Sequence, residues 1–148
     1  MNISVDIGNS HIKIGVFDKD EMIYNFSLVT DVKKSVEEYK IALQHMITAE
    51  ANIKIEKIEG VVVSSVVTNI TERIVKALSF LKVRILLIGD PDVKTGIVAR
   101  IDNPEELGGD IVSNLVAAKN KYEENFIVID MGTATTIMVC GGNGDLIG

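Results

Sequence analysis

The chain has 148 residues, of which 47% are hydrophobic, enough to bury the core of one ordinary domain and part of another. Its net charge of −6, with Lys and Arg scattered along the chain, excludes the clustered basic surface on which nucleic-acid binding depends. The start is not basic, the apolar runs are too short to span a membrane, and Cys140 is the single cysteine. We therefore expect a soluble, cytoplasmic protein that binds neither nucleic acid nor a membrane.

The first part of the chain predicts an antiparallel meander followed by a helix. Apolar residues alternate with polar ones, and polar turns separate the runs, so we expect strands at 3–7, 11–17 and 22–30. From Ser35 to about Ala51, apolar residues recur at helical spacing. A helix is therefore expected to follow the meander.

The middle of the chain alternates aliphatic strands with amphipathic helices, before a last strand pair. The predicted elements are strands at 58–67 and 83–89, helices at 70–82 and 103–122, and final strands at 126–132 and 135–140. Thr68 or Asn69 is expected to cap the first helix. Asn103 as N-cap, Pro104 at the first position and Glu106 at the third predict a capping box at the start of the second helix.

This order, βββ then αβαβα then ββ, indicates an α/β protein with a mixed sheet covered by helices. We expect a first domain at 1–122, which contains a phosphate-binding hairpin and a catalytic helix. The segment 123–148 is expected to be the first hairpin of a second, truncated domain.

A hairpin pattern occurs twice in the sequence. Val5–Val16 reads "VDIGNSHIKIGV" and Ile129–Cys140 reads "IDMGTATTIMVC" when the two are aligned without a gap. Each copy places an aspartate, Asp6 or Asp130, in an apolar strand two positions before a turn glycine. Simple turn chemistry explains one such copy. Two copies over a dozen positions favour a functional interpretation.

The repeated pattern suits phosphate and metal binding. A carboxylate in an apolar strand is costly without a partner, and a hydrated Mg²⁺ that bridges nucleotide phosphates would be such a partner for Asp6. The turn glycines let the backbone approach a ligand closely, and consecutive N–H groups can form an anion-binding nest. The predicted nests are Gly8, Asn9 and Ser10 in one copy and Gly132, Thr133 and Ala134 in the other.

Four segments in this order and spacing resemble the type III pantothenate kinases, members of the actin, sugar-kinase and Hsp70 superfamily. They are "DIGNS" at the start, "SSVV" at 64–67, "NPEELGGD" at 103–110 and "DMGTATT" at 130–136. The resemblance implies a ribonuclease-H-like or actin-like ATPase fold and covers the whole chain, although family members are considerably longer. It also implies a homodimer that phosphorylates pantothenate with ATP, Mg²⁺ and a monovalent cation (K⁺ or NH₄⁺).

The resemblance also implies roles for individual residues. The first phosphate loop would be Asp6, Ile7, Gly8, Asn9, Ser10, His11, Ile12 and Lys13, with Thr133 as a further nucleotide contact. Asp130 would help to hold the monovalent cation, and Asp110 would be the catalytic base. The turn at 108–111, made of Gly108, Gly109, Asp110 and Ile111, would contact pantothenate.

The residues around Asp110 support its role independently. Two consecutive glycines at the start of a helix cost about 1 kcal/mol each relative to alanine, so bare backbone is expected to serve a ligand there. Asp110 could then accept the proton of a primary hydroxyl that attacks the γ-phosphoryl group. The plain alternative is that acidic residues merely favour the start of a helix.

Two positions depart from the family pattern. Ile111 stands where members usually carry an arginine, and Ile101 stands where they usually carry a tyrosine. Both family residues contact pantothenate, so the substrate-binding positions Ile101 and Ile111 bear on the substrate more than on the fold.

Two other function classes are open at this point. A ribonuclease-H-like nuclease shares the opening element order, but it would need further carboxylates near Asp6 and a basic surface. A non-catalytic or regulatory relative, a pseudokinase or half-domain without pantothenate turnover, is favoured by Ile101 and Ile111. Pantothenate turnover would separate this last class from a kinase.

Overall fold

The computed structural model describes residues 1–104, 107–132 and 134–148. Its backbone divides into two compact units, Met1–Asp90 and Pro91–Gly148. The domain assignment made from the sequence, with its boundary at residue 122, stays a prediction.

The first unit is built on a five-stranded mixed sheet. Its strands are β1 (Asn2–Ile7), β2 (His11–Asp18), β3 (Glu21–Val29), β4 (Gly60–Ser65) and β5 (Arg84–Leu87). The spatial order is β3-β2-β1-β4-β5, in which β1, β2 and β3 are antiparallel neighbours and β1, β4 and β5 are parallel neighbours. The predicted meander and the parallel pairing of the aliphatic strands are both confirmed.

Two helices pack on one face of this sheet. They are α1 (Val36–His45), which continues as a π-helical turn (Met46–Glu50), and α2 (Thr68–Leu78). Short 3₁₀ turns occupy Ile55–Lys57 and Ser79–Leu81. Alternate residues of β1 and β2 are buried with the apolar stripes of the helices, because successive side chains of a strand point to opposite faces. The buried strand residues are Ile3, Val5, Ile7, Ile12, Ile14 and Val16.

The two helices of the first unit begin differently. Ser35 caps α1 and forms a capping box with Glu38, each side chain accepting from the backbone N–H of the other residue. The predicted cap of α2 is wrong, because Thr68 already lies inside the helix and Val67 is the N-cap, without a side-chain bond. Ser65 satisfies that end instead, since its Oγ accepts the Val67 N–H at 3.1 Å.

The second unit contains a two-stranded antiparallel sheet and one helix. The strands are β6 (Phe126–Met131) and β7 (Thr135–Cys140), and the helix is α3 (Gly109–Lys121). A small core joins them, made of Leu115, Met138, Cys140 and Leu146. The predicted final hairpin is confirmed.

The helix α3 begins five residues later than predicted. Gly108 is its N-cap and Gly109 its first residue, so Asn103 does not cap it. Leu107 N–H bonds the Pro104 carbonyl at 3.4 Å. Two glycines have low helix propensity, and the helix therefore starts only at the second of them. Glu106, the expected partner of Asn103, lies outside the described residues. Of the helices in the described part, none is long and apolar enough to cross a membrane.

Candidate active site

The turn of the first hairpin is held by its neighbouring strand. Gly8 N–H bonds the His11 carbonyl at 3.0 Å, and the Thr30 hydroxyl donates to the Gly8 carbonyl at 2.7 Å. Thr30 N–H also bonds the Ser10 carbonyl at 3.0 Å. The Gly8 N–H is therefore already used within the turn. The N–H groups of Asn9 and Ser10 bond no other residue in the described part of the chain, so they remain available to an anion.

Glycine at position 8 is favoured by close packing rather than by its backbone conformation. A Cβ atom there would lie 3.2 Å from the His11 carbonyl oxygen, closer than most real contacts. The tight turn keeps the two strand ends together. It also presents the exposed residues Asn9 and Ser10 at the tip of the hairpin.

Asp6 is half-buried near the end of β1, on the face opposite the helices. In the sheet register its neighbours are Lys13 on β2 and Ser64 on β4. Directly paired residues of neighbouring strands point to the same side, so these three residues form a polar row across the sheet. Ile7 and Ile12 are fully buried in the core on the other face, which leaves only their backbone for contact with a nucleotide. His11 and Lys13 are exposed.

Two consecutive serines at the end of β4 have opposite environments. Ser65 Oγ lies 2.7 Å from the Thr71 hydroxyl and accepts the Val67 N–H, so its polar atom is satisfied. Ser64 is 7% exposed, and its Oγ has no hydrogen-bond partner among the described residues. The contacts therefore distinguish these two adjacent serines.

The second hairpin repeats the first with a shorter turn. Residues 8–11 separate the last paired positions Ile7 and Ile12, whereas only residues 132–134 separate Met131 and Thr135. The alignment without a gap is therefore wrong after the turn, and Thr136 rather than Ile137 corresponds to Lys13. Gly132 N–H bonds the Ala134 carbonyl at 3.1 Å across the turn. This bond corresponds to the one between the Gly8 N–H and the His11 carbonyl in the first copy. Thr133, the predicted nucleotide contact, lies outside the described residues.

Asp110 occupies the second position of α3. One of its carboxylate oxygens, Oδ1, accepts the N–H of Ile111 at 2.8 Å. Among the described residues, no other hydrogen bond to this carboxylate is present. The carboxylate is half-buried and keeps one oxygen for a ligand.

A residue that sequence reasoning missed, Asn114, ties the helix that carries Asp110 to Asp130. Asn114 Nδ2 donates to Asp130 Oδ2 at 2.8 Å, from α3 to β6. Asn114 follows Asp110 by four residues, and side chains at that spacing lie on the same face of a helix. Asp110 and Asn114 therefore share the face of α3 from which Asn114 contacts Asp130. Asp6 belongs to the first unit.

The remaining predicted substrate positions lie around the start of α3. Gly108 has an extended backbone, and Gly109 is buried in the first turn. Ile101 and Ile111 are partly buried and pack against the core of the second unit. Their side chains therefore serve the packing of that core. Whether any of these positions contacts a substrate stays a prediction.

The loop at 141–146 contains a buried aspartate that forms an ion pair with Arg100. Asp145 is buried, and its Oδ2 accepts hydrogen bonds from Arg100 Nε and from Asn143 Nδ2, each at 2.9 Å. The bond from Arg100 is the largest cause that lowers the pKa of Asp145 below its ordinary value.

Burial raises the pKa of the Cys140 thiol, which suits a core residue. Within the described ranges, no group of three or more His, Cys, Asp or Glu side chains could hold a metal ion.

Comparison with known proteins adds a family and a fold. The model of the family described as type III pantothenate kinase matches residues 2–148. A solved structure of a reductive activator for a corrinoid, iron-sulfur protein aligns with 99% of this chain at a TM-score of 0.57 and 16% identity. A candidate N-acetylglucosamine kinase from Porphyromonas gingivalis aligns with 97% at 0.53 and 13% identity. A candidate sugar kinase from Cytophaga hutchinsonii aligns with 99% at 0.51 and 16% identity.

These structural likenesses show the fold, which is that of the sugar kinases and actin-like ATPases, as predicted. The chain spans 30%, 45% and 49% of the lengths of these three solved chains.

Proposed function

The chain belongs to the type III pantothenate kinase family, and on that premise we propose that it phosphorylates pantothenate with ATP. The product is 4'-phosphopantothenate, and the reaction is the first step of coenzyme A biosynthesis. The proposal includes ATP, Mg²⁺ and a monovalent cation (K⁺ or NH₄⁺) as cofactors and a homodimeric, cytoplasmic enzyme.

The donor groups near Asp6 fit a magnesium–nucleotide complex. Mg²⁺ prefers one or two carboxylates together with water and phosphate oxygens, and Asp6 supplies a half-buried carboxylate. The unbonded N–H groups of Asn9 and Ser10 suit phosphate oxygens. The buried hydroxyl of Ser64, in register with Asp6, is a further polar atom that a ligand can satisfy. When bound, the ion neutralises charge on the phosphates.

The donor groups at Asp130 fit a monovalent cation. One carboxylate oxygen accepts the Asn114 amide, and the other accepts no bond from another described residue. A carboxylate oxygen is a ligand that hard cations prefer. Asp130 therefore takes the cation-binding role in the proposal.

Asp110 acts as the general base. It accepts the proton of the primary hydroxyl of pantothenate as that oxygen attacks the γ-phosphorus, and ADP leaves as its bridging oxygen separates from phosphorus. The start of α3 aids this chemistry, because its N–H groups favour negative charge. Positioning of the hydroxyl in line with the phosphoryl group supplies much of the rate enhancement.

The observation that supports this proposal most is the family match across residues 2–148. The geometry adds that Asp110 keeps an oxygen without a hydrogen bond from the described residues. It adds also that Asn114 ties the helix of Asp110 to Asp130.

A second candidate function is a non-catalytic relative of the family that binds nucleotide without turning over pantothenate. The packing of Ile101 and Ile111 against the core favours it, because both stand in positions where the family carries polar substrate contacts. Nucleotide binding alone does not separate the two functions.

The deciding experiment measures pantothenate-dependent ADP release by the protein at its full natural length. Asp110→Asn is expected to lower kcat by roughly 100-fold or more, the usual contribution of a general base, while ATP affinity is retained. Asp102→Asn is the matched control, because Asp102 is exposed and precedes the helix.

Turnover that survives Asp110→Asn would contradict the role of Asp110. No turnover by the unaltered protein, with ATP binding intact, would favour the non-catalytic function.

A further inference from the structure

The inference concerns the hydroxyl group of Ser64. Its Oγ is buried and without a hydrogen-bond partner among the described residues, and it is the one atom of this kind found in them. An unsatisfied buried hydroxyl destabilises a fold, so native proteins rarely keep one without a reason. Ser65, the next residue, shows that this strand end can satisfy a serine hydroxyl fully.

The position of Ser64 indicates what the hydroxyl serves. It lies directly beside Asp6 in the parallel register of β1 and β4. Both side chains belong to the face of the sheet opposite α1 and α2, because Val5 and Val63, the adjacent pair, are buried in the core. The strand end that carries Asp6 leads directly into the Gly8 turn. The unpartnered hydroxyl thus lies at the edge of the candidate phosphate site.

The neighbouring pair in the same register is different. Two residues earlier, Ser4 lies beside Val62, so on this face Asp6 and Ser64 are the pair of β1 and β4 in which both residues are polar. A serine that only filled space would be replaced by alanine at no loss, because alanine carries no hydroxyl to satisfy. A ligand that brings an oxygen to this point would satisfy the group.

We propose that Ser64 is a ligand-binding residue whose hydroxyl donates a hydrogen bond to an oxygen of the magnesium–nucleotide complex beside Asp6. The oxygen is either a phosphate oxygen or a water bound to the ion. This inference rests on the proposed function, because it assumes that the turn at Gly8 binds nucleotide phosphates.

The test is a calorimetric titration of ATP into the natural-length protein and its Ser64→Ala variant, with Mg²⁺ and with EDTA. Loss of one hydrogen bond to a charged group is expected to weaken Mg²⁺–ATP binding by roughly tenfold. A loss in both solutions assigns the bond to a phosphate oxygen, and a loss with Mg²⁺ alone assigns it to metal-bound water. Ser4→Ala, on the same face of β1, is the matched control and should change neither affinity.

Thermal unfolding without ligand separates this role from a structural one. Because Ser64→Ala removes an unsatisfied polar atom, the ligand-free variant should unfold at the same temperature or higher, while the shift caused by Mg²⁺–ATP becomes smaller. A lower unfolding temperature without ligand would show a structural role and overturn the inference. Unchanged ATP affinity in both solutions would overturn it as well.

The experiment also distinguishes this inference from the proposed function. If the protein binds Mg²⁺–ATP but does not phosphorylate pantothenate, the kinase proposal fails, and the two affinities still decide the role of Ser64. If the protein turns over pantothenate and Ser64→Ala matches Ser4→Ala, only the inference fails. If the unaltered protein does not bind ATP, both fail.

Discussion

Asn114 binds Asp130 from the helix that carries Asp110, the other carboxylate of the second unit on which the proposed chemistry depends. Its amide donates to Asp130, and it lies one helical turn after Asp110. A hydrogen bond to a charged group fixes the orientation of the acceptor, and here the acceptor is the carboxylate proposed to hold the monovalent cation. Asn114 is therefore a positioning residue for Asp130.

Replacement of Asn114 tests this link. Asn114→Ala should raise the K⁺ concentration needed for half-maximal activity by roughly tenfold, the cost of one charge-assisted bond, with ATP affinity unchanged. Asn120→Ala is the matched control, because Asn120 lies on the same helix and its Nδ2 donates to the Val116 carbonyl rather than to a carboxylate. An equal change in both variants, or a change in ATP affinity instead, would show a general effect on α3.

The two departures from the family give a second test at single residues. Ile101→Tyr together with Ile111→Arg should raise kcat/KM for pantothenate by roughly tenfold or more, because each restores a polar donor. Both residues pack against the core, so overpacking is expected to cost about 1–3 kcal/mol of stability. Thermal unfolding of each variant controls for this. Efficient turnover by the unaltered protein, lowered by the double change, would place the substrate elsewhere.

Part of the candidate site could be predicted from the sequence, and part could not. Asp6 and Asp130 are recognisable because the pattern around each is local and is repeated. Asn114 left only a weak signal, a polar residue four positions after Asp110 in an apolar helix. Its partner depends on how α3 packs on β6, which a single sequence does not encode locally.

At the scale of elements, the strands were predictable and the starts of two helices were not. The strands follow alternation and aliphatic runs, which depend on few neighbours. The starts of α2 and α3 depend on competition between nearby caps. Ser65 satisfies the N-terminal end of α2 from outside the helix, and the glycine pair delays the start of α3. The first outcome is set by a contact, and the second by the low helix propensity of glycine.

The 141–146 loop gives a prediction about pH. The pKa of Asp145 is lowered in the folded protein, chiefly by the bond from Arg100. The stabilisation of the folded protein by the charged Asp145 is therefore fully present above the pKa of this residue in the unfolded chain, about 3.9. It is lost as pH falls through the lower pKa of Asp145 in the folded protein. Asp145→Asn should be less stable at neutral pH and should lose less stability on acidification.

Urea unfolding followed by circular dichroism at neutral pH and at about pH 3 measures this difference, across the range in which carboxylates of this kind titrate. Asp102→Asn, an exposed carboxylate, should keep the pH dependence of the unaltered protein. Parallel profiles for Asp145→Asn and the unaltered protein would contradict the assignment.

At the scale of the whole molecule, the two hairpins differ in which faces are covered. In the first, Ile3 pairs with Val16 and Val5 with Ile14, and all four are buried under α1 and α2. The corresponding pairs of the second hairpin are Ile127 with Val139 and Ile129 with Ile137, and all four are exposed. Equivalent faces of a repeated element thus lie in opposite environments. This contrast supports the proposal that 123–148 opens a second domain, whose helices would cover the exposed face as α1 and α2 cover the first.

The last prediction tests that proposal with Ile137→Lys. Ile137 is 61% exposed, so in the 148-residue chain the change should leave the free energy of unfolding within about 0.5 kcal/mol. In a longer form that contains the proposed second domain, a helix on this face would bury the new charge, and the loss should reach about 3 kcal/mol or more. Ile41→Lys on α1 is the matched control, because Ile41 is also 61% exposed and should be tolerated in both forms. Urea unfolding of the four variant proteins gives these free energies. Equal tolerance of Ile137→Lys in both forms would show that solvent covers this face.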